Sequence, residues 1–431
     1  MKSILFAIIL IMTFSKGKSQ FWQDMSFLQD QILKLFFPKD PGLERVRRMD
    51  PTERITINAK ILDFIGMVKP YGYPAEEHRV TTEDGYNLII HRIPGSPLLD
   101  NNAKKEIVFL QHGMLGSSEC WIMYGPGKDL AFLLADKGYD VWFGNMRGTT
   151  YCRSHVNMTT NDRKFWQYSF HEVGTKDLPA MFEYILKYTD QKDLYYIGHS
   201  MGTTSLFALL STKPEYNIKV KMAICLSPVV FWIEISPEVY VIAEAWPTIK
   251  EILEKHEIFD VLPQSLTIVT LARTFCKDNL ITQNICATIL FLIGGADSAQ
   301  LNTTSLPYLF SHFPAGTSVQ QFDHYYQNIR TKDFQNFDYG TNENYKRYKQ
   351  AIPPRYDLKK VTAPIVLFFA EKDTILRKEN VIELNKRLPN VLLMEKVPYK
   401  LFSHLDFIWA INAKTLLYDR ILELIQKFNT N

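Results

Sequence analysis

The sequence has few cysteines, no run of basic residues and, after its first twenty positions, no apolar stretch long enough to cross a bilayer. Its 431 residues include five cysteines and carry a formal charge of +3, so neither a disulfide-rich scaffold nor a basic nucleic-acid-binding surface is indicated. The metal-binding patterns H-E-x-x-H and C-x-x-C are absent, as are the Walker A and glycine-rich dinucleotide patterns. We therefore expect no metal, no organic cofactor, no nucleic-acid partner and no integral membrane anchor.

The N-terminus is the exception to the lack of long apolar runs. Lys2 precedes a largely apolar run of eleven residues, Ile4 to Phe14, and small and polar residues follow. A membrane-spanning helix needs about 20 apolar residues, whereas a charged start and a short apolar centre are typical of a secretory signal peptide. We predict that residues 1–19 are such a peptide, cleaved near Ser19, and that the protein enters the secretory pathway.

In a secreted chain disulfides are permitted, so two of the five cysteines can form one. Cys276 and Cys286 enclose a short loop and are the favoured pair, and the odd total leaves at least one free thiol, such as Cys225. Asn157 and Asn302 each begin an N-x-S/T sequon, so both are candidate glycosylation sites.

Short apolar strands alternate with helices along much of the chain. A helix is expected around Ala59 to Met67, and Asp84-Gly85 predicts a hairpin turn between two β-rich runs. The remaining predicted strands are Glu106–Gly113, Tyr139–Asn145, Asp193–Ser200, Val220–Pro228, Ala363–Asp373 and Val391–Pro398. Helical patterns separate these strands, which is typical of an α/β fold with a mostly parallel central sheet flanked by helices.

The α/β alternation is interrupted once. From Pro228 to about Lys360 the sequence is helical, aromatic and irregular, and the alternation then resumes. We predict an N-terminal segment over residues 20–75, an α/β core formed by residues 76–227 and 361–431, and a mainly helical insertion over residues 228–360.

One predicted strand ends in the pentapeptide Gly198 to Gly202, which reads G-H-S-M-G and leads into a helix. In that context G-x-S-x-G is typical of a nucleophile elbow, a sharp strand-to-helix turn that exposes one serine. The flanking glycines make room for the tight turn, and the helix N-terminus favours negative charge nearby. Ser200 is therefore the candidate nucleophile.

A serine nucleophile needs a base and an acid, and in this architecture the acid and then the histidine follow the serine in the chain. Four histidines follow Ser200, and only His404 lies beyond the resumed core. Asp373 ends a predicted core strand and is the candidate acid, with Glu371 as the alternative. Asp406 follows the histidine and is interpreted as a structural residue.

Ester chemistry at Ser200 also needs donors for the oxyanion. One predicted donor is the backbone N–H of Met201, the residue after the nucleophile. The second is the N–H of Met114, because His112-Gly113 ends an earlier strand and lets the chain turn there.

Several stretches together resemble the acid lipase family of the gastric and lysosomal type, which are α/β-hydrolases. In order along the chain they are YPAEEHRVTTEDGYNL, LQHGMLGSS, WFGNMRGTTYCRSH, GHSMG, PAGTSVQQFDHYYQ, FFAEKD and SHLDFIWAINA. The resemblance implies a Ser200, Asp373 and His404 triad, oxyanion donors at Met114 and Met201, and the Cys276–Cys286 disulfide. Family members often have glutamine where this chain has Met201, which puts substrate preference near that position in question.

The same resemblance implies an activity and a place of action. It implies a secreted or lysosomal serine hydrolase that cleaves carboxylic esters of neutral lipids, triacylglycerols or steryl esters, at an oil–water or membrane interface. The insertion over residues 228–360 would then be a cap with a movable lid. Two alternatives are a carboxylesterase for small soluble esters and a lipid-binding homologue without turnover. The sequence leaves the preferred ester and the oligomeric state open.

Overall fold

The computed structural model of the protein describes residues 31, 33, 37, 42–49, 60–100, 104–278, 280 and 282–430. The predicted signal peptide lies outside these residues. In chain order the strands are β1 (Glu44–Val46), β2 (Lys60–Leu62), β3 (Glu76–Thr81), β4 (Tyr86–Ile93), β5 (Ile107–Gln111), β6 (Asp140–Gly144), β7 (Ser154–His155), β8 (Leu194–His199), β9 (Val220–Leu226), β10 (Asp260–Val261), β11 (Thr317–Ser318), β12 (Ile365–Phe369) and β13 (Val391–Lys396).

The helices lie between these strands. The α-helices are α1 (Phe64–Val68), α2 (Leu130–Asp136), α3 (Phe170–Glu172), α4 (Leu178–Thr189), α5 (Met201–Thr212), α6 (Pro237–Lys255), α7 (Leu266–Phe275), α8 (Gln283–Gly294), α9 (Leu306–His312), α10 (Val319–Thr331), α11 (Thr341–Tyr348), α12 (Lys378–Arg387), α13 (Asp406–Trp409) and α14 (Asp419–Thr430). Two π-helical turns are Val173–Asp177 and Lys414–Tyr418. The 3₁₀ turns are Lys69–Tyr71, Ser118–Trp121, Arg163–Trp166, Pro214–Lys219, Thr303–Ser305 and Leu358–Lys360.

Most strands join one central sheet with the order β13-β12-β9-β8-β5-β6-β4-β3, and β7 pairs with β4. The strands from β13 to β6 run parallel, whereas β4 and β3 form an antiparallel edge. Strands β5, β6, β8 and β12 are buried along their whole length, which explains their largely apolar sequences. The predicted α/β architecture with a mostly parallel sheet is confirmed.

The hairpin prediction is correct and the helix prediction before it is wrong in part. Strands β3 and β4 pair antiparallel around Gly85, which has a φ of +95° that a glycine adopts without strain. In place of one helix from Ala59 to Met67, residues Lys60–Leu62 form strand β2 and the helix starts at Phe64. The reason is Asp63, whose carboxylate accepts the Gly66 N–H at 2.7 Å and so caps a helix that begins after it.

Between β9 and β12 the chain is mainly helical, as predicted for the insertion, and contains α6 to α11. Cys276 at the end of α7 and Cys286 in α8 form the predicted disulfide. The other cysteines, Cys120, Cys152 and Cys225, are free and buried. In the described part of the chain, none of the helices combines the length and the apolar character that a membrane span requires.

Candidate active site

The turn between β8 and α5 holds Ser200 in an unusual backbone conformation. Its φ of 53° and ψ of −119° lie outside the regions that L-residues normally occupy. The Ser200 N–H donates to the Leu226 carbonyl at 3.0 Å, which ties the turn to β9. Strained backbone at a buried serine is typical of functional sites and fits the predicted elbow.

The two glycines that flank Ser200 are required by close packing. A Cβ atom at Gly202 would lie 2.6 Å from the carbonyl oxygen of Gln111, at the end of β5. A Cβ atom at Gly198 would lie 2.7 Å from the Tyr196 ring and 3.1 Å from the Gly202 carbonyl carbon. The absence of both side chains therefore lets α5 begin directly above the sheet.

The structure brings Ser200, His404 and Asp373 together, although they are far apart in sequence. The Ser200 Oγ lies 2.8 Å from the His404 Nε2, and the His404 Nδ1 lies 2.9 Å from the Asp373 Oδ2. All three side chains are buried. With Nδ1 carrying the proton, Nε2 is free to accept the proton of the Ser200 hydroxyl.

The Asp373 carboxylate is surrounded by donors. Its Oδ1 accepts the N–H groups of Ile375 at 2.9 Å and Leu376 at 2.8 Å. Burial raises the pKa of Asp373, but the charge and hydrogen bond of His404, with the other donors, outweigh burial and hold this pKa below its ordinary value. The alternative acid, Glu371, is exposed and pairs with Lys396 at 3.0 Å, so it does not contact the histidine.

Among the described residues, two further side chains form hydrogen bonds with His404, and the sequence reasoning missed both. The Ser227 Oγ lies 2.6 Å from the Asp373 Oδ2 and 2.8 Å from the His404 Nδ1. The His199 Nε2 donates to the His404 carbonyl at 2.9 Å, and burial lowers the pKa of His199 to about 3, so this side chain stays neutral. The signal for Ser227 was its place at the end of a core strand, beside the strand that Asp373 follows.

The predicted oxyanion donors belong to two segments that both lie next to Ser200. Met201 is the first residue of α5, where a helix leaves its N–H groups without intrahelical acceptors. Met114 follows Gly113, and a Cβ atom at Gly113 would lie only 3.0 Å from the Ser200 Cβ. The Met114 loop therefore passes directly beside the serine.

His112 anchors the loop that carries Met114. Its Nδ1 donates to the Gly113 carbonyl at 2.7 Å, and its Nε2 accepts the Met146 N–H at 3.2 Å. Burial lowers the pKa of His112 to about 4, which keeps the ring in the neutral form that both hydrogen bonds require. The two ring nitrogens of His112 thus connect the Met114 loop to the backbone at Met146.

A cavity of about 290 Å³ opens above Ser200 and His404. Its walls are largely apolar, and much of the lining comes from the segment between β9 and β12. Lining residues of that segment include Val229, Trp232, Ile242, Trp246, Phe322 and Tyr325. The site can therefore take up an apolar chain next to Ser200 and His404.

The candidate glycosylation sites Asn157 and Asn302, and Asp406, do not line this cavity. Asn157 is exposed and Asn302 is half-buried. Asp406 accepts the Ser403 N–H at 2.7 Å, and its carboxyl interacts electrostatically with that of Asp297, which follows α8. Asp406 thus braces the loop that carries His404, in agreement with its interpretation as a structural residue.

The buried carboxyl of Asp406 makes stability depend on pH in a defined direction. Burial raises the pKa of Asp406 to about 7, whereas an unfolded aspartate titrates near 4. The folded chain therefore keeps a proton that the unfolded chain releases, and this contribution to the free energy of unfolding is lost as the pH rises from about 4 to about 7. Asp406→Asn keeps a neutral hydrogen-bonding side chain, so we expect the variant to gain roughly 2 kcal/mol relative to the original chain between pH 5 and pH 8.

Denaturant unfolding of both proteins at a series of pH values measures this difference. Stability curves that stay parallel from pH 5 to pH 8 would contradict the raised pKa of Asp406.

Comparisons with known proteins find related sequences and related folds. A family model described as the alpha/beta hydrolase fold matches residues 106–409, and one described as a partial alpha/beta-hydrolase lipase region matches residues 64–125. Human gastric triacylglycerol lipase is 37% identical over 363 residues, which cover 84% of this chain and 90% of that protein. Human lysosomal acid lipase/cholesteryl ester hydrolase is 36% identical over 365 residues, with 84% and 90% coverage.

Lipase 3 of Drosophila melanogaster is 38% identical over 358 residues, which cover 83% of this chain and 91% of the relative. Among solved structures, a putative lipase from Sulfolobus solfataricus has a TM-score of 0.53 at 15% identity, and covers 82% of this chain and 94% of its own. A soluble variant of monoglyceride lipase from Saccharomyces cerevisiae has a TM-score of 0.52 at 14% identity, with 83% and 97% coverage. At such low identity the two structures bear on the fold alone.

Proposed function

The chain belongs to the acid lipase family of α/β-hydrolases and is a lipid ester hydrolase, and we propose that it cleaves neutral-lipid esters with Ser200 as nucleophile, His404 as base and Asp373 as acid. The observation that carries this proposal is the continuous hydrogen-bonded chain from the Ser200 Oγ through both ring nitrogens of His404 to Asp373, beneath an apolar cavity.

The first half of the proposed reaction forms an acyl-enzyme. His404 Nε2 takes the hydroxyl proton as the Ser200 oxygen attacks the ester carbonyl carbon. Asp373 holds the Nδ1 proton and stabilises the imidazolium that results. His404 then gives its proton to the leaving alcohol, which breaks the ester bond and leaves the acyl group on Ser200.

The second half repeats these steps with water. His404 takes a proton from water, the hydroxide oxygen attacks the acyl carbon, and the proton returns to Ser200 as the fatty acid leaves. In both halves the negative charge develops on the former carbonyl oxygen, where we assign the backbone N–H groups of Met114 and Met201 as donors. Because these donors belong to the backbone, the methionine that replaces the family's glutamine at position 201 leaves them intact.

The choice of lipid over small soluble esters rests on the cavity and its surroundings. We assign residues 228–360 as a cap, because α6 lines the cavity with Ile242 and Trp246. The same helix exposes Tyr240 by 54% and Val241 by 42%, and such apolar exposure beside a pocket suits contact with a lipid surface. The relatives are named for triacylglycerol and cholesteryl ester, and we propose one or both classes as substrates of this chain.

The proposed location follows from the relatives and from the N-terminal sequence. The relatives include proteins named gastric and lysosomal lipases, and we propose that this chain enters the secretory pathway, with residues 1–19 removed. Glycans at Asn157 and Asn302 belong to the same proposal.

A substrate panel separates the lipase from the small-ester carboxylesterase. We expect the purified protein to hydrolyse emulsified long-chain triacylglycerol or steryl ester faster than a soluble short-chain ester, because the apolar cavity gains free energy from each buried methylene. We also expect the rate to rise once the substrate exceeds its solubility. A preference for short soluble esters with no gain at the oil surface would instead support the carboxylesterase.

A further inference from the structure

Ser227 is a buried residue that the sequence motifs do not assign to the site. It follows β9, directly beside the strand that leads to Asp373, and its side chain is fully buried. Its φ of 50° is left-handed, and its N–H donates to the Phe368 carbonyl of β12 at 2.9 Å. A serine held in this conformation costs free energy, which points to a role for its side chain.

The direction of each hydrogen bond of Ser227 follows from what the partners can do. An ionised carboxylate only accepts, so the Ser227 hydroxyl must donate to the Asp373 Oδ2 at 2.6 Å. Its single proton is then used, and the Ser227 Oγ can only accept from the His404 Nδ1–H at 2.8 Å. The Nδ1–H is thus shared between Ser227 and Asp373, which lies at 2.9 Å.

This arrangement completes the set of donors around the carboxylate. Oδ2 accepts from Ser227 and His404, and Oδ1 accepts from the N–H groups of Ile375 and Leu376. A buried charge is stable only when its oxygens are satisfied in this way, since no water replaces a lost donor at low cost.

We propose that Ser227 is a positioning residue for ester hydrolysis, which keeps Asp373 ionised and fixes the ring of His404 in the orientation that receives the Ser200 proton. The inference rests on the proposed function, and it adds a fourth side chain to the assigned triad. Ser227 acts through Asp373 and His404 and does not touch the substrate.

Loss of the Ser227 hydroxyl should change how the rate of ester hydrolysis depends on pH. The Ser227 hydrogen bond is one of the interactions that lower the pKa of Asp373. Without it the carboxylate takes up a proton at a higher pH, so activity is lost earlier as the pH falls. A misaligned ring also slows proton transfer, and small misplacements of catalytic groups cost up to about 10²-fold in rate.

Two variants test the proposal. Ser227→Ala removes the hydroxyl. Ser227→Gly also removes it, and glycine adopts the left-handed φ without strain. If the alanine variant does not fold, the glycine variant alone tests the proposal. We expect both to lower kcat roughly 10- to 100-fold with little change in KM. We also expect both to move the acid limb of the kcat/KM profile upward by about one pH unit.

Ser205→Ala is the matched control, because Ser205 is a buried serine of α5 whose hydroxyl has no hydrogen-bond partner among the described residues. We expect it to keep the original pH profile. A folded Ser227→Gly protein with the kcat and acid limb of the Ser205→Ala protein would overturn the inference. Absence of ester hydrolysis by the unchanged protein would instead count against the proposed function.

Discussion

Replacing Ser200 by alanine is expected to abolish ester hydrolysis, with a loss of at least about 10⁴-fold in kcat. The reason is that no other nucleophile lies within hydrogen-bond distance of the His404 Nε2 among the described side chains. Stability should change by only about 1 kcal/mol, since one hydrogen bond and one oxygen atom are lost. Initial rates on an emulsified triacylglycerol and on a soluble ester, with a thermal unfolding curve, measure both expectations.

Ser205→Ala again supplies the matched control, five residues further along the same turn and helix. Its rates should equal those of the unchanged protein. If Ser200→Ala retained rates similar to those of this control, the elbow assignment would be wrong.

Asp373→Asn is expected to lower kcat by roughly 10³- to 10⁴-fold. An asparagine amide can donate to the His404 Nδ1, which then favours the ring tautomer that carries its proton on Nε2. In that tautomer Nε2 cannot accept the Ser200 proton, although the ring stays in place. Steady-state kinetics should therefore show a large loss in kcat with a small change in KM.

Glu371→Gln is the control for this experiment, because Glu371 precedes Asp373 by two residues yet points to Lys396 at the surface. We expect it to retain full activity. A larger loss from Glu371→Gln than from Asp373→Asn would reverse the assignment of the acid.

Much of the fold was predictable because strand and helix signals are local. Largely apolar strands such as Ile107–Gln111 and Ile365–Phe369 identify a parallel sheet covered on both faces. The resemblance to acid lipases, which rested on short motifs, is confirmed by relatives that cover most of the chain. The division into core and insertion stays a prediction at its boundaries.

The three assigned catalytic side chains were accessible to sequence reasoning because chain order and strand ends restrict the choices. After Ser200, only His404 lies beyond the insertion, and Asp373 ends a core strand. The structure brings these residues within hydrogen-bond distance, and their catalytic roles stay a proposal.

Other features depend on contacts that no local pattern reveals. Ser227 reaches Asp373 only because β9 and β12 are neighbours in the sheet. A serine that follows a strand does not by itself indicate a functional residue. The start of helix α1 was misplaced because the cap at Asp63 and the pairing of β2 with β1 override the helical pattern before it. The charge interaction between Asp297 and Asp406 likewise acts between two distant segments.

The most direct test of the central claim is covalent labelling of the folded protein with a fluorophosphonate, followed by peptide mass spectrometry. An activated serine attacks the phosphorus and keeps the adduct, whereas ordinary serines do not react. We predict a single adduct on Ser200, loss of hydrolysis in proportion to labelling, and no adduct in Ser200→Ala. A folded protein that stays unlabelled, or that carries its adduct on another residue, would contradict the account.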